Sequence, residues 1–112
     1  MSSKVVTLTA ENFDAQALAA DRVAVVDFWA TWCPPCRALA PTIAALAEER
    51  TDVVVGKLDV DEHPAIAERY GIQSIPTVLV FRNGELAERS VGLVPIDRLR
   101  ALLDPKVEQK TA

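Results

Sequence analysis

Val23-Ala24-Val25-Val26-Asp27-Phe28-Trp29-Ala30-Thr31-Trp32-Cys33-Pro34-Pro35-Cys36-Arg37-Ala38-Leu39 is the stretch that decides how this chain folds. Residues 23–29 are an almost continuous apolar run of strand length, interrupted by Asp27, as expected for a central strand covered on both faces. From Pro35 the period changes. Leu39, Ile43, Leu46 and Ala47 recur at helical spacing, predicting a helix over 35–50 with a kink at Pro41. Between strand and helix stand the chain's only two cysteines, at i and i+3. In a first helical turn that spacing puts their Cα atoms roughly 5 to 6 Å apart, which a disulfide accepts. The pair can therefore open and close without a refold.

Outward from this stretch, residues 4–8 read as a short β-branched strand, and 11–20 as an alanine- and leucine-rich helix that Thr9 would cap. On the C-terminal side, 53–59 is a second strand of buried type. A short helix over 64–70 has proline in its first turn and Gly71 at its close. Strands over 77–81 and 86–91 are joined through Asn83-Gly84, the strongest short hairpin signal, and 95–103 is a last amphipathic helix. The order β-α-β-α-β-α-β-β-α predicts an α/β domain. Its central five-stranded mixed sheet has parallel neighbours from the strand-helix alternation, a terminal antiparallel hairpin, and four flanking helices.

Length and composition narrow the function. A chain of 112 residues, 50% hydrophobic and 25% charged, suits one domain spanning 1–112, with its core over about 4–104 and a polar tail over 105–112 that frays. Twelve basic against sixteen acidic residues give a net charge of −4 without a basic stripe, a poor match to nucleic acid. The longest apolar run is too short to span a bilayer, and residues 1–7 lack the pattern of a secretory signal. The expected location is the cytoplasm, where a lone Cys-x-x-Cys is catalytic or metal-binding rather than structural.

Cys33 falls where the strand ends and the helix begins. Unpaired N–H groups and the positive end of the helix dipole favour its thiolate, which makes it the exposed nucleophile. Cys36, one turn in and less accessible, is placed to attack a mixed disulfide from within the molecule. The competing reading is a zinc half-site, but only His63 and carboxylates are available to complete four ligands. His63 beside Pro64 reads as solvated rather than catalytic. Pro35 suits the first helical position. Pro34, which precedes a proline, is then the expected N-cap, and it stiffens the turn in both redox states. Asp27, an acid within an apolar strand, would have its pKa raised by burial and could hold a proton near neutrality; a partly solvated aspartate is the alternative.

Val26-Asp27-Phe28-Trp29-Ala30, Trp32-Cys33, Pro35-Cys36, Ala40-Pro41, Lys57-Leu58-Asp59-Val60-Asp61, Tyr70-Gly71-Ile72, Ser74-Ile75-Pro76-Thr77, Phe81-Arg82-Asn83-Gly84 and Val91-Gly92 occur in the order that resembles the thioredoxin family. The similarity covers about residues 4–104. Pro34 departs from it, standing where thioredoxins usually carry glycine. Cys-Pro-Pro-Cys is instead similar to tryparedoxins and nucleoredoxins, although tryparedoxins lack the acid found here at Asp27. Pro34 and Pro35 are thus the expected tuners of redox potential.

The resemblance implies the thioredoxin fold and a thiol-disulfide oxidoreductase that reduces disulfides in other proteins. It implies that Asp27 is a buried proton carrier for Cys36 and Lys57 its buried partner, a snorkelling surface lysine being the alternative. It implies a cis-proline at Pro76 beside the dithiol, with Ile75 offering its backbone to an extended substrate strand. Trp32, Ile75, Pro76, Val91, Gly92 and Leu93 would then rim Cys33 for substrate binding. An NADPH-dependent, flavin-containing thioredoxin reductase is the implied source of electrons, and the chain is expected to act as a monomer with no metal or cofactor of its own. The rivals are a tryparedoxin-like or oxidant-leaning carrier, a non-catalytic binding subunit, and a metal site completed by a second chain.

Overall fold

The computed structural model describes residues 4–104; the expected polar tail over 105–112 lies outside the described residues. Five strands and four helices alternate as β1 (Val6–Leu8), α1 (Phe13–Ala17), β2 (Val23–Trp29), α2 (Pro34–Glu49), β3 (Val54–Asp59), α3 (Pro64–Arg69), β4 (Thr77–Arg82), β5 (Glu85–Val91) and α4 (Ile96–Leu103). They build one mixed sheet in the order β1-β3-β2-β4-β5. β1 and β2 run parallel to β3, whereas β4 runs antiparallel to β2 and to β5. β2 is therefore central, and its C-terminal end delivers the chain to the cysteine turn.

Alternation along β2 sorts the core onto two faces. Ala24, Val26 and Phe28 pack with Phe13, Leu58, Ile66, Leu79 and Phe81 in one cluster. Val25 packs with Leu39, Ile43, Leu46, Val55, Val78, Val80 and Leu99 in the other. Each large apolar side chain that is fully buried contributes about 1.5–3 kcal/mol relative to exposure.

The punctuation residues act as their geometry requires. Asn83 and Gly84 both take positive φ, 54° and 83°, as a two-residue hairpin turn demands. Gly71, at φ 65°, closes α3: its N–H donates to Glu68 O and the Ile72 N–H donates to Ala67 O, each closing one free helix carbonyl.

The first helix is shorter than expected. α1 is confined to Phe13–Ala17 with Asn12 at its N-cap, and Thr9 does not cap it. Thr9 and Asn12 instead bond reciprocally, the Thr9 N–H donating to Asn12 Oδ1 and the Asn12 N–H to Thr9 Oγ1, which spends this segment's hydrogen bonds on a turn. Pro41 sits inside α2 without ending it. Among the described residues no helix is long and apolar enough to cross a membrane.

Candidate active site

Cys33 and Cys36 are joined by a disulfide, with Cα atoms 5.3 Å apart. Cys33, not Pro34, is the N-cap of α2. Its Sγ accepts a hydrogen bond from the Cys36 N–H at 3.3 Å, so the sulfur does the work of a capping oxygen. Pro34 and Pro35 occupy the first two helical positions, where no N–H is needed, and this outweighs the steric preference of a residue before proline for extended backbone. The same N–H, together with the helix dipole, would stabilise a thiolate at Cys33 once the disulfide opens.

The expected contrast between an exposed Cys33 and a hidden Cys36 is absent in the disulfide form. The two are 3% and 2% exposed, packed with Ala30 and against Trp29, Val60 and Ile75. The peptide bond between Ile75 and Pro76 is cis, as the resemblance implied, and Cys33 Sγ lies 3.8 Å from the Ile75 carbonyl oxygen. The Gly92 N–H donates to Pro76 O at 2.8 Å, bringing the end of β5 alongside. Trp32, Val91 and Leu93 are the exposed large apolar residues of this border. Structure thus brings Ile75 against Cys33 and, through Pro76, Gly92 alongside, from distant parts of the sequence; in the chain Trp32 precedes Cys33, and Val91 and Leu93 flank Gly92.

Asp27 is buried, and its Oδ1 has no hydrogen-bond partner. Burial pushes its pKa up from 3.8 to about 7, against a smaller downward pull from the positive charge of Lys57. Asp27 and Lys57 are directly paired in the β2–β3 register. Lys57 is not buried, however: its side chain is exposed, with Nζ 5.1 Å from the centre of the Trp29 ring. The resemblance implied burial, and the alternative of a surface lysine is the one observed. What leaves it open is a cleft of about 190 Å³ lined by Val5, Asp27, Ala40, Ile43, Ala44 and Lys57. Ala40 and Ala44 follow Cys36 at successive i+4 steps along α2, so the cleft runs from the helical turn after the dithiol to the acid.

His63 is not simply solvated, since its Nδ1 accepts from the Ala10 N–H at 3.2 Å. Among the described residues no cluster of three or more His, Cys, Asp or Glu could hold a metal ion. Two features escaped the sequence reading. Asp61 accepts from Trp32 Nε1 at 2.7 Å, although the motif containing it was plain. The small residues that open the cleft are visible only as the i+4 repeat from Cys36.

The Thioredoxin family model matches residues 4–105 of the chain. Thioredoxin 2 of Chlorobaculum tepidum is 43% identical over 108 residues, covering 96% of this chain and 99% of that protein. Thioredoxin of Buchnera aphidicola is 42% identical over 106 residues, 94% of this chain and 98% of its own. Thioredoxin of Alicyclobacillus acidocaldarius is 45% identical over 98 residues, 87% and 92% respectively.

Proposed function

The chain belongs to the thioredoxin family and is a thiol-disulfide oxidoreductase, and from that premise we propose that it reduces disulfides in other proteins, with a division of labour among its site residues. The observation that carries the proposal is the capped dithiol turn: a sulfur at a helix N-terminus that accepts the Cys36 N–H, with a buried acid whose Oδ1 lacks a hydrogen-bond partner on the strand that leads into it.

The Cys33 thiolate attacks one sulfur of the substrate disulfide. A Cys33–substrate bond forms, the substrate S–S bond breaks, and the first substrate thiolate leaves. Cys36 gives its proton toward Asp27, and its thiolate attacks Cys33 Sγ. The second substrate thiolate then leaves and the Cys33–Cys36 disulfide remains, two electrons having passed to the substrate. Asp27 suits the proton role because its pKa of about 7 lets it take and return a proton near neutrality. Lys57 moderates that value through its charge.

Trp32, Ile75, Pro76, Val91, Gly92 and Leu93 form the substrate rim, in which backbone pairing at Ile75 accepts many sequences. Pro34 and Pro35 set the rigidity of the turn and so contribute to its potential. An NADPH-dependent thioredoxin reductase returns the dithiol, the chain works as a monomer, and its place is the cytoplasm, where thiols are kept reduced.

Turnover of a disulfide protein such as insulin, coupled to a thioredoxin reductase, tests the reading. Cys33→Ser abolishes turnover, and Cys36→Ser accumulates a mixed disulfide through Cys33. Wild-type turnover by Cys33→Ser would remove the nucleophile assignment. An Asp27 pKa near the ordinary aspartate value of about 3.9 would remove the proton role.

A further inference from the structure

Trp32 is 64% exposed, so burial does little to fix its ring. What holds it is a hydrogen bond from Nε1 to Asp61 Oδ2 at 2.7 Å. Asp61 lies between β3 and α3 in a loop tied at both ends. At the strand end, Asp59 Oδ1 accepts from the Asp61 N–H at 2.9 Å and from the Glu62 N–H at 3.4 Å. At the helix end, the His63 N–H donates to Asp59 O at 3.0 Å, and His63 Nδ1 accepts from the Ala10 N–H. The Val60 N–H donates to Trp29 O at 2.9 Å, which fastens the loop to the strand that leads into the dithiol turn. One carboxylate oxygen of Asp59 thus orders the backbone that presents the carboxylate of Asp61.

We propose that Asp59 is a positioning residue for substrate binding: it orders the 59–63 loop so that Asp61 holds the Trp32 indole beside Cys33 in the orientation that receives a protein substrate, with His63 anchoring the loop's far end. The proposal rests on the reading of Trp32 as part of the substrate rim. The physical gain is preorganisation. A large aromatic that is already fixed loses less freedom when a partner settles on it, and a hydrogen-bonded indole presents one face consistently. Asp59 acts at one remove, through the loop backbone and Asp61, and its effect is confined to substrates large enough to reach Trp32.

That confinement supplies the test. Asp59→Ala removes the acceptor, whereas Asp59→Asn keeps an oxygen at the same place. In Asp59→Ala the KM for a protein disulfide rises about fivefold, the scale of one lost hydrogen bond, with kcat little changed. Reduction of a small disulfide, bis(2-hydroxyethyl) disulfide, keeps its wild-type rate, and the Trp32 indole N–H exchanges faster with solvent by NMR. Asp59→Asn restores the KM and slows the exchange again. An unchanged protein KM in Asp59→Ala overturns the proposal, as does an equal loss toward protein and small disulfides, which would make Asp59 merely structural. Trp32→Ala separates this from the underlying reading. If that variant binds protein substrates as wild type does, the rim assignment fails; if it weakens them while Asp59→Ala does not, the rim stands and the positioning role fails.

Discussion

Two faces of one sheet, sharing β2, both carry a buried core and differ where the strand places Asp27. On the α1/α3 side, Phe13, Phe28 and Phe81 are completely buried, and Phe81 meets Phe13 and Tyr70 edge-on with ring centres 5.8 and 5.2 Å away. On the α2/α4 side, the same strand places Asp27 against a cleft of about 190 Å³ beneath two alanines of the helix that starts at the dithiol. The closed face contributes packing and no chemistry. The open face is packed around Val25, Leu39 and Leu99 but gives up contact locally at the cleft, leaving an acid whose charged form burial disfavours. Loss of packing and loss of the acid can therefore be probed by separate mutations.

The largest expected effect lies on the closed face. Phe81→Ala removes the ring shared by Phe13 and Tyr70 and costs about 3–5 kcal/mol in urea unfolding, with the per-molecule redox chemistry of the folded fraction unchanged. A cost below about 1 kcal/mol would mean that the ring cluster does not carry the packing assigned to it.

The open face should respond in the opposite sense, and with pH. Between the unfolded value of 3.8 and the folded value of about 7, the folded chain keeps a proton on Asp27 that the unfolded chain has released. Stability consequently falls as pH rises through that window and levels off above it. The full span is about 4 kcal/mol as an order of magnitude. Asp27→Asn removes this slope, so the oxidised variant overtakes the wild type at pH 8 and roughly matches it near pH 4. Parallel pH profiles for the two proteins in urea unfolding would contradict the assignment of Asp27 as a buried, unpartnered acid.

The stabilised Asp27→Asn protein should also be a poorer catalyst. With no carboxylate to take the Cys36 proton, the mixed disulfide on Cys33 persists about tenfold longer at pH 7, measured by quenched-flow trapping, while its formation keeps the wild-type rate. A variant that is both more stable above pH 7 and slower to resolve would separate the two faces in one molecule. Equal resolution rates would leave the cleft without a catalytic purpose.

Much of this contrast could be read in the sequence, and the exceptions have physical causes. The run at 23–29 was legible as β2 because a strand covered on both faces has no polar period, and its one acid stood out for that reason. Asn83-Gly84 was legible because few residues accept positive φ twice in succession. The end of α1 was not. Alanines favour continuing the helix to residue 20, but the hairpin approaches so closely that a Cβ on Gly84 would come within 2.7 Å of Leu18 O. That is a tertiary contact with no local signature. Nor was the N-cap of α2, because a sulfur serving as acceptor is invisible to rules written for oxygen. The burial of Lys57 that the resemblance implied did not hold, and the surface alternative did, because a matching motif does not report whether the helix above carries side chains large enough to cover the lysine; here Ala40 and Ala44 line the cleft beside it.

Lys57 supplies the smallest and most discriminating test of the two-face description. Its charge lowers the Asp27 pKa against the larger effect of burial. Lys57→Met keeps the aliphatic stem and removes that charge, so Asp27 holds its proton to higher pH and the midpoint of mixed-disulfide resolution moves upward. At pH 7 resolution slows about threefold, less than in Asp27→Asn, because the carboxyl is retuned rather than removed. Since the lysine is exposed, its field is partly screened, and the difference between variant and wild type shrinks as salt is raised. A buried ion pair would keep its effect in high salt. A salt-independent difference would therefore mean that the cleft closes over Lys57 in solution, and no difference at any salt would mean that the acid is governed by burial alone.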